Sequence, residues 1–464
     1  MDLPEEEVAA EVPPSTLSAR ILLPKDHPIT PEKIDRDALF VLRKLAGAGF
    51  AGYLVGGGVR DLYLGKTPKD YDISTDARPG QLRKIFPNSN TIGRRFRLVQ
   101  VFFKGGKTIE ISTLRSLSEY EIDGPEEVLA PNNTFGTLSE DARRRDLTIN
   151  SLFYEIEQGT IIDYVGGTED LQKGIIRIGG DPVRRIGRDP VRIMRAIRHA
   201  ARNSFTIEAE TWKAICDQSG KLTLCPPSRL RDELLKDLYG GASAPWFQLA
   251  ADSGIFCSLF PFYRKILLRN PDGQNSQKEL LMRLFQVIDR TNTLAVSRHS
   301  HRQPDFFLFA LILIPWVEAR WQLFSEFRKS NALFQLAKQI REEIDRTIGI
   351  SLNLRRSLRQ DAVSLLLNLA LLIHNKGPAG WPKWLKRKSY YKTARLFYDF
   401  YTEALTGETV DDELLASGTL SQPPAELPLV TDQTTSTPDE RRGAPKCKPA
   451  FSQKTKGGIF GFKK

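Results

Sequence analysis

The stretch Tyr53–Asp76, "YLVGGGVRDLYLGKTPKDYDISTD", decides the fold. Apolar residues lead into three glycines, a basic residue, a helix-like "DLYLG" and then two acids one residue apart, Asp70 and Asp72. Strand alternation sets Asp70 and Asp72 on one face. Two carboxylates that close repel unless a cation lies between them. Magnesium suits the place, because it takes hard oxygen ligands and keeps waters and phosphates as the others. A third carboxylate on a neighbouring strand would complete such a site, and Glu110 in "TIEIS" is the candidate. Alone, an acid pair of this kind is a solvated turn. Here Gly57 and Gly58 lie just upstream of Arg60, and backbone N–H groups of a glycine turn at a helix start bind phosphate. A phosphate cradle followed by a carboxylate pair describes nucleotidyl transfer assisted by two Mg2+ ions.

Outward from this stretch, "ITPEKIDRDALFVLRKLAGAGF" offers Thr30 as an N-cap and Pro31 as the first residue of a helix. "AGYLVGG", "LVQVFFK" and "KTIEISTLR" read as strands, the last two joined by a turn at Gly105–Gly106. "GIIRIGG" reads as a short hairpin arm. From Asp189 onward the pattern is helix after helix, beginning with "DPVRIMRAIRHAARN". The fold class expected is α+β: a small mixed-sheet head, an all-helical remainder and a basic tail. The expected divisions are an arm at 1–28, a head at 29–180, a neck at 181–265, a helical body at 266–411 and a disordered Ser/Thr/Pro-rich tail at 412–464.

A chain of 464 residues with 41% hydrophobic content holds more than one domain and real cores. No apolar run reaches the roughly 18 residues of a membrane span, and "FFLFALILIPW" reads as a buried helix. The acidic N-terminus lacks a basic region followed by an apolar core, which points to a cytoplasmic protein. Cys216, Cys225, Cys257 and Cys447 form no CxxC pair, against a zinc site or disulfide framework. The histidines show no metal or triad spacing. Net charge is +11, and eight of the basic residues, with no acidic ones, lie between Arg441 and Lys464. That points to a polyanion partner or to a solubilising tail.

"LVGGGVRDLYLGKTPKDYDIST" resembles the head motif of the class II nucleotidyltransferases of the polymerase-beta superfamily, the bacterial poly(A) polymerases and tRNA CCA-adding enzymes. Further matches follow in the family's order. "RRDLTINSLFY" resembles the second motif, and the resemblance implies that Arg145 and Asp146 hold the ribose and phosphates of the incoming nucleotide. "DYVGGTEDLQKGIIRIGG" is similar to the neck, and "RDPVRIMRAIRHAA" to the base-recognition helix. There the resemblance implies that Asp189 and Arg192, at i and i+3, read the edge of the base with no nucleic-acid template. The family usually has Glu before this Asp, where this chain has Arg188.

Arg192, Arg195, Arg198 and Arg202 form a stripe, either a phosphate-binding face (Arg195 toward the nucleotide, Arg198 toward RNA) or a solvated one. "IGRRFRLVQVFF" resembles the poly(A) polymerase signature and offers Arg94, Arg95 and Arg97 to triphosphate or RNA. Those enzymes usually carry His where this chain has Gln100. Lys386, Arg387 and Lys388 sit in a basic cluster with Trp381, Trp384, Tyr390 and Tyr391, a composition that grips backbone and stacks bases, or else forms a packed helix with a charged outer face. The expected activity is addition of AMP from ATP to RNA 3′ ends, with no membrane or DNA partner. The alternatives are CCA addition to tRNA and, against the intact motifs, an RNA-binding protein with a dead head.

Overall fold

Eight strands form one mixed sheet: β1 (Arg20–Leu22), β2 (Gly52–Val55), β3 (Asp72–Thr75), β4 (Ser89–Ile92), β5 (Leu98–Phe102), β6 (Thr108–Thr113), β7 (Phe153–Glu155) and β8 (Thr160–Asp163). Their order is β1-β8-β7-β2-β3-β6-β5-β4. β3 and β6 run parallel, and the other neighbours antiparallel. The computed structural model describes residues 18–93, 98–116, 135–267, 276–298, 300–328 and 330–409. The expectations for residues 1–17, the arginines at 94, 95 and 97, His299, Cys447 and the tail from 410 fall outside those residues.

Alternation along β6 divides the sheet into two faces. Ile109 and Ile111 are buried on one, while Glu110 and Ser112 are turned to the other. The buried face packs under α1 (Arg36–Gly47), whose Ala38, Val41, Leu42 and Leu45 recur at helical spacing and are buried. The opposite face, where Glu110 lies, carries the cleft.

α1 starts later than its Thr30–Pro31 signal suggests. Pro31–Lys33 makes only one 3-10 turn, and the Thr30 side chain makes no cap hydrogen bond. Asp35 provides the cap instead, its Oδ1 accepting from the N–H groups of Asp37 and Ala38. β2 then turns sharply into α2 (Gly57–Tyr63) through Gly56, whose φ of 68° and ψ of −133° suit a residue without Cβ. The remaining head helices are α3 (Pro79–Ile85), α4 (Leu138–Arg144) and α5 (Gly167–Lys173).

"GIIRIGG" is not a hairpin. β9 (Ile175–Ile176) pairs in parallel with β10 (Thr206–Ile207), a segment beyond the next two helices. Those are α6 (Pro182–Arg188) and α7 (Val191–Asn203). The run beginning at Asp189 is therefore not one helix start: Asp189 ends α6 in an extended conformation, at φ −146° and ψ 87°. α8 (Ala209–Gln218) and α9 (Pro227–Leu238) follow. Longer helices at Ser276–Ser297, Asp305–Trp321, Ser330–Arg346, Arg356–His374 and Tyr391–Thr406 build the rest. "FFLFALILIPW" lies in the helix Asp305–Trp321, with Phe307 to Val317 buried throughout. Among the described residues no helix is long and apolar enough to cross a membrane.

Candidate active site

Register brings the acids together. Val55 of β2 lies opposite Asp72, and Asp72 lies opposite Glu110. The glycine turn after β2 and the head of β3 are therefore at the same end of the sheet. β3 begins only at Asp72, so Asp70 stands in the bend before the strand and is exposed, not on the strand face that alternation assigns. Its charge is still felt at Asp72. Asp72 opens onto the cleft, yet the cleft walls strip water from its carboxyl. That loss, then the Glu110 carboxylate and then Asp70, push it up to about 6, against the pull of Arg145. Gln100, opposite Glu110 on β5, donates from Nε2 to Glu110 Oε1 at 3.0 Å.

Asp72 and Glu110 line one wall of a cleft of about 500 Å3, and Asp70 lies outside its lining. The opposite wall comes from α4, α7 and α9, with Arg144, Arg145, Asp146, Asp189, Arg192, Arg195 and Arg229. Asp146 accepts from Arg195 Nη1 at 2.8 Å and from the N–H of Leu147. Burial would raise its carboxyl, but Arg195 holds it well below the usual range. Arg145 lies with its guanidinium 5.1 Å from the Phe153 ring and donates to Ser74 Oγ. Asp189 does not pair with Arg192. Its Oδ2 accepts from Arg229 Nη2 at 2.8 Å, a residue 40 positions along the chain. Asp189 Oδ1 and Arg192 Nε and Nη1 are buried with no hydrogen-bond partner among the described residues. A buried polar atom left unpaired costs about 1–3 kcal/mol, so these three atoms are suited to a ligand that pairs with them.

Two assigned arginines do other work. Arg198 is 6% exposed, and its guanidinium bonds Glu233 and Asp237 of α9. It is no RNA contact: the stripe turns inward at this turn of α7, and removing one partner of such a buried pair costs about 3–5 kcal/mol. Arg60 is likewise buried, its nitrogens on Asp61, Asn150 and His199. It ties α2 to α7 through His199.

Far from the cleft acids in sequence, Lys386, Arg387 and Lys388 are exposed at the end of the short helix Lys383–Lys386 and just beyond it. Of the aromatics near them, Trp384 is 51% exposed, but Trp381 is core. The Trp381 Nε1–H donates to Leu372 O, and Arg395 and Lys376 lie over its ring. It is not a platform for bases. Cys216, Cys225 and Cys257 are unpaired.

Sequence reasoning missed Asp141, Arg115, Arg229, Glu233 and Asp237. The "ARRRD" run marks Arg144 and Asp141's neighbourhood, but Arg229 and α9 carry no local sign of the cleft they meet.

A nucleotide-sized cleft with paired acids on a mixed sheet and an arginine-rich helical wall defines the class: a nucleotidyltransferase head joined to helices. The family model described as "Poly A polymerase head domain" matches residues 52–177, and that described as "Probable RNA and SrmB- binding site of polymerase A" matches 204–267. Poly(A) polymerase I of Salmonella typhi is 35% identical over 82% of this chain and 81% of its own. A CCA-adding enzyme of Bacillus licheniformis is 34% identical over 49% of this chain and 60% of its own. Among solved structures, the Bacillus stearothermophilus CCA-adding enzyme in complex with CTP superposes with a TM-score of 0.55 at 25% identity, covering 84% of this chain and 81% of that one. The chain belongs to the class II nucleotidyltransferases, the family of bacterial poly(A) polymerases and CCA-adding enzymes, and it is a nucleotidyltransferase that adenylates RNA.

Proposed function

We propose that the protein is a poly(A) polymerase of the cytoplasm, adding AMP from ATP to RNA 3′ ends without a template. The observation that carries this is the reach of the similarity. The poly(A) polymerase relative aligns through the helical body, over 388 residues, whereas the CCA-adding relative aligns over 244.

The residues fit magnesium. Asp72 and Glu110 crowd their charge, and a hard divalent cation would relieve it. Among the described residues no group of three or more His, Cys, Asp or Glu could hold a metal unaided. The assigned holders are Asp70, Asp72 and Glu110, with water and triphosphate oxygens completing the coordination of two ions. Magnesium, when bound, supplies activation of the 3′ hydroxyl and charge neutralisation at the α-phosphate and leaving pyrophosphate. The chain's own part is positioning. Gly57 and Gly58 offer backbone N–H groups to phosphate, and Arg145 and Asp146 hold phosphate and ribose. The unpaired Asp189 Oδ1 accepts from the adenine amino group, and Arg192 donates to the ring nitrogen beside it. RNA is held by the exposed Lys386, Arg387 and Lys388 and by the arginines at 94, 95 and 97.

The test is incorporation of each of the four labelled NTPs with magnesium on two primers, a tRNA lacking its last three bases and an unstructured oligoribonucleotide. The expected result is long ladders from ATP on both. Addition of two C and one A on the tRNA alone would instead make it a CCA-adding enzyme. No incorporation on either would leave an RNA-binding protein with an inactive head.

A further inference from the structure

One fully buried carboxylate behind the cleft wall is unused by this account. Asp141, in α4, has 0% of its surface exposed. Its Oδ1 accepts from the backbone N–H of Arg115 at 3.2 Å and from Arg144 Nε at 2.7 Å. Its Oδ2 accepts from Arg145 Nε at 3.2 Å and Nη2 at 3.0 Å. Burial would raise this acid, yet Arg145 and Arg144 hold it below the usual carboxylate range. It is therefore an anion at working pH.

The three residues it ties all line the cleft. Arg115 directly follows the strand that carries Glu110, and Arg144 and Arg145 close α4. One carboxylate shared by the Arg144 and Arg145 guanidinium groups leaves an excess of positive charge between them. Burial, and the closeness of Arg144, push Arg115 down to about 10. Side-on bonding uses Nε and Nη2 of Arg144 and Arg145, and Nη1 of each has no hydrogen-bond partner among the described residues. Such a cluster matches a ligand with several closely spaced negative oxygens.

We propose that Asp141 is a positioning residue, which sets Arg144 and Arg145 side by side, and anchors the backbone at Arg115, as a grip for the β- and γ-phosphates of the incoming nucleotide. This rests on reading the cleft as a nucleoside triphosphate site. The carboxylate does not touch the nucleotide. It spends its bonds on the back edges of the Arg144 and Arg145 guanidinium groups and on the backbone N–H of Arg115, and so fixes the direction of the two front edges.

The test measures equilibrium binding of ATP and of AMP, without added metal, to the wild-type chain, to Asp141→Asn and to Arg144→Gln. The asparagine keeps shape but loses charge, and it cannot accept from both arginines while satisfying its own amide. The expected result is an ATP affinity about tenfold weaker in both variants, the scale of one or two lost charge-assisted bonds, with AMP affinity unchanged. Under turnover the same change appears as a raised KM for ATP with kcat altered less. Equal weakening of ATP and AMP would make Asp141 a purely structural residue and overturn the proposal, as would unchanged binding of both. If Asp141→Asn does not fold, Arg144→Gln carries the same comparison, and loss of the ATP preference there supports the grip. A wild-type chain that shows no preference for ATP over AMP would defeat the reading of the cleft itself, separately from the role of Asp141.

Discussion

His199 shows how a residue passed over in sequence is explained by its neighbours. Its spacing in the sequence matches no metal site or triad. In the structure its ring is half-buried against Arg60 and Asn150 on the path between α2 and α7. Burial, and then the Arg60 guanidinium, push the imidazole down to about 3. In the unfolded chain the same group titrates near 6.5. Above that value neither state binds the proton, and stability from this group is constant. As pH falls from about 6.5 toward 3, the unfolded chain takes up a proton that the folded chain refuses. Stability is therefore lost on acidification, by up to about 1.4 kcal/mol per pH unit from this single site. We expect the unfolding midpoint of the wild-type chain to fall more between pH 7 and pH 5 than that of His199→Gln. The difference between the two proteins isolates this group from carboxylates titrating in the same range, and parallel midpoints would show that the ring is charged or solvated in the folded state. The acids that open the argument were legible because β6 alternation and a short acid spacing are local signals. The pairing of Asp189 with Arg229, and the inward turn of Arg198, were not, because each depends on α9 packing against α7, and nothing within either helix announces the other.

At the level of elements, the helix Asp305–Trp321 carries an internal proline that its burial pattern alone does not explain. Pro315 has no N–H to give, and its ring crowds the carbonyl one turn back, which disturbs the ladder around it. Tyr263 enters there. Its hydroxyl donates to Ile312 O at 2.5 Å and accepts from the N–H of Trp316 at 3.2 Å. Those two backbone groups stand four residues apart, so the phenol bridges the i to i−4 pair beside Pro315. Burial pushes the Tyr263 hydroxyl far up, so it stays a donor at any ordinary pH. Tyr263→Phe keeps the ring packing against Phe256 and Phe262 and removes only the bridge. The loss expected is about 1–3 kcal/mol, the penalty for leaving a buried donor and acceptor unmet, read as a lower denaturation midpoint at unchanged denaturant slope. A variant as stable as the wild type would mean that the helix closes the bond itself. Elements were well marked in the sequence where period or turn chemistry was strong, as in the β5–β6 hairpin. They were misread where a longer-range partner decides, as when "IIRI" pairs with Thr206–Ile207 instead of folding on itself.

Across the whole molecule, the cleft and the proposed RNA surface are built on different principles, and that difference can be measured. The cleft lines its wall with arginines oriented by fixed acids, Arg195 on Asp146 and Arg144 and Arg145 on the buried Asp141. The segment Lys386–Lys388 keeps its cations in solvent, while the tryptophan that sequence composition set beside them, Trp381, is locked into the core with Arg395 and Lys376 over its ring. If these exposed cations hold RNA, they do so through phosphate charge and counterion release more than through stacking. Each phosphate contact to a single strand contributes about 0.7 to the slope of log affinity against log salt. Changing Lys386, Arg387 and Lys388 together to alanine is therefore expected to weaken binding of an oligoribonucleotide and to flatten that slope by about 2. The KM for ATP, set by the cleft, is expected to stay at its wild-type value. The check is filter binding of an unstructured oligoribonucleotide from 50 to 200 mM salt, the range in which such contacts change affinity most visibly. A weaker but parallel line would mean that the substitutions disturb the fold rather than remove phosphate contacts, and an unchanged line would place the RNA on another face. A flatter line together with an unchanged KM for ATP would separate primer gripping from nucleotide selection, which is the division of labour that a template-independent polymerase acting on arbitrary 3′ ends requires.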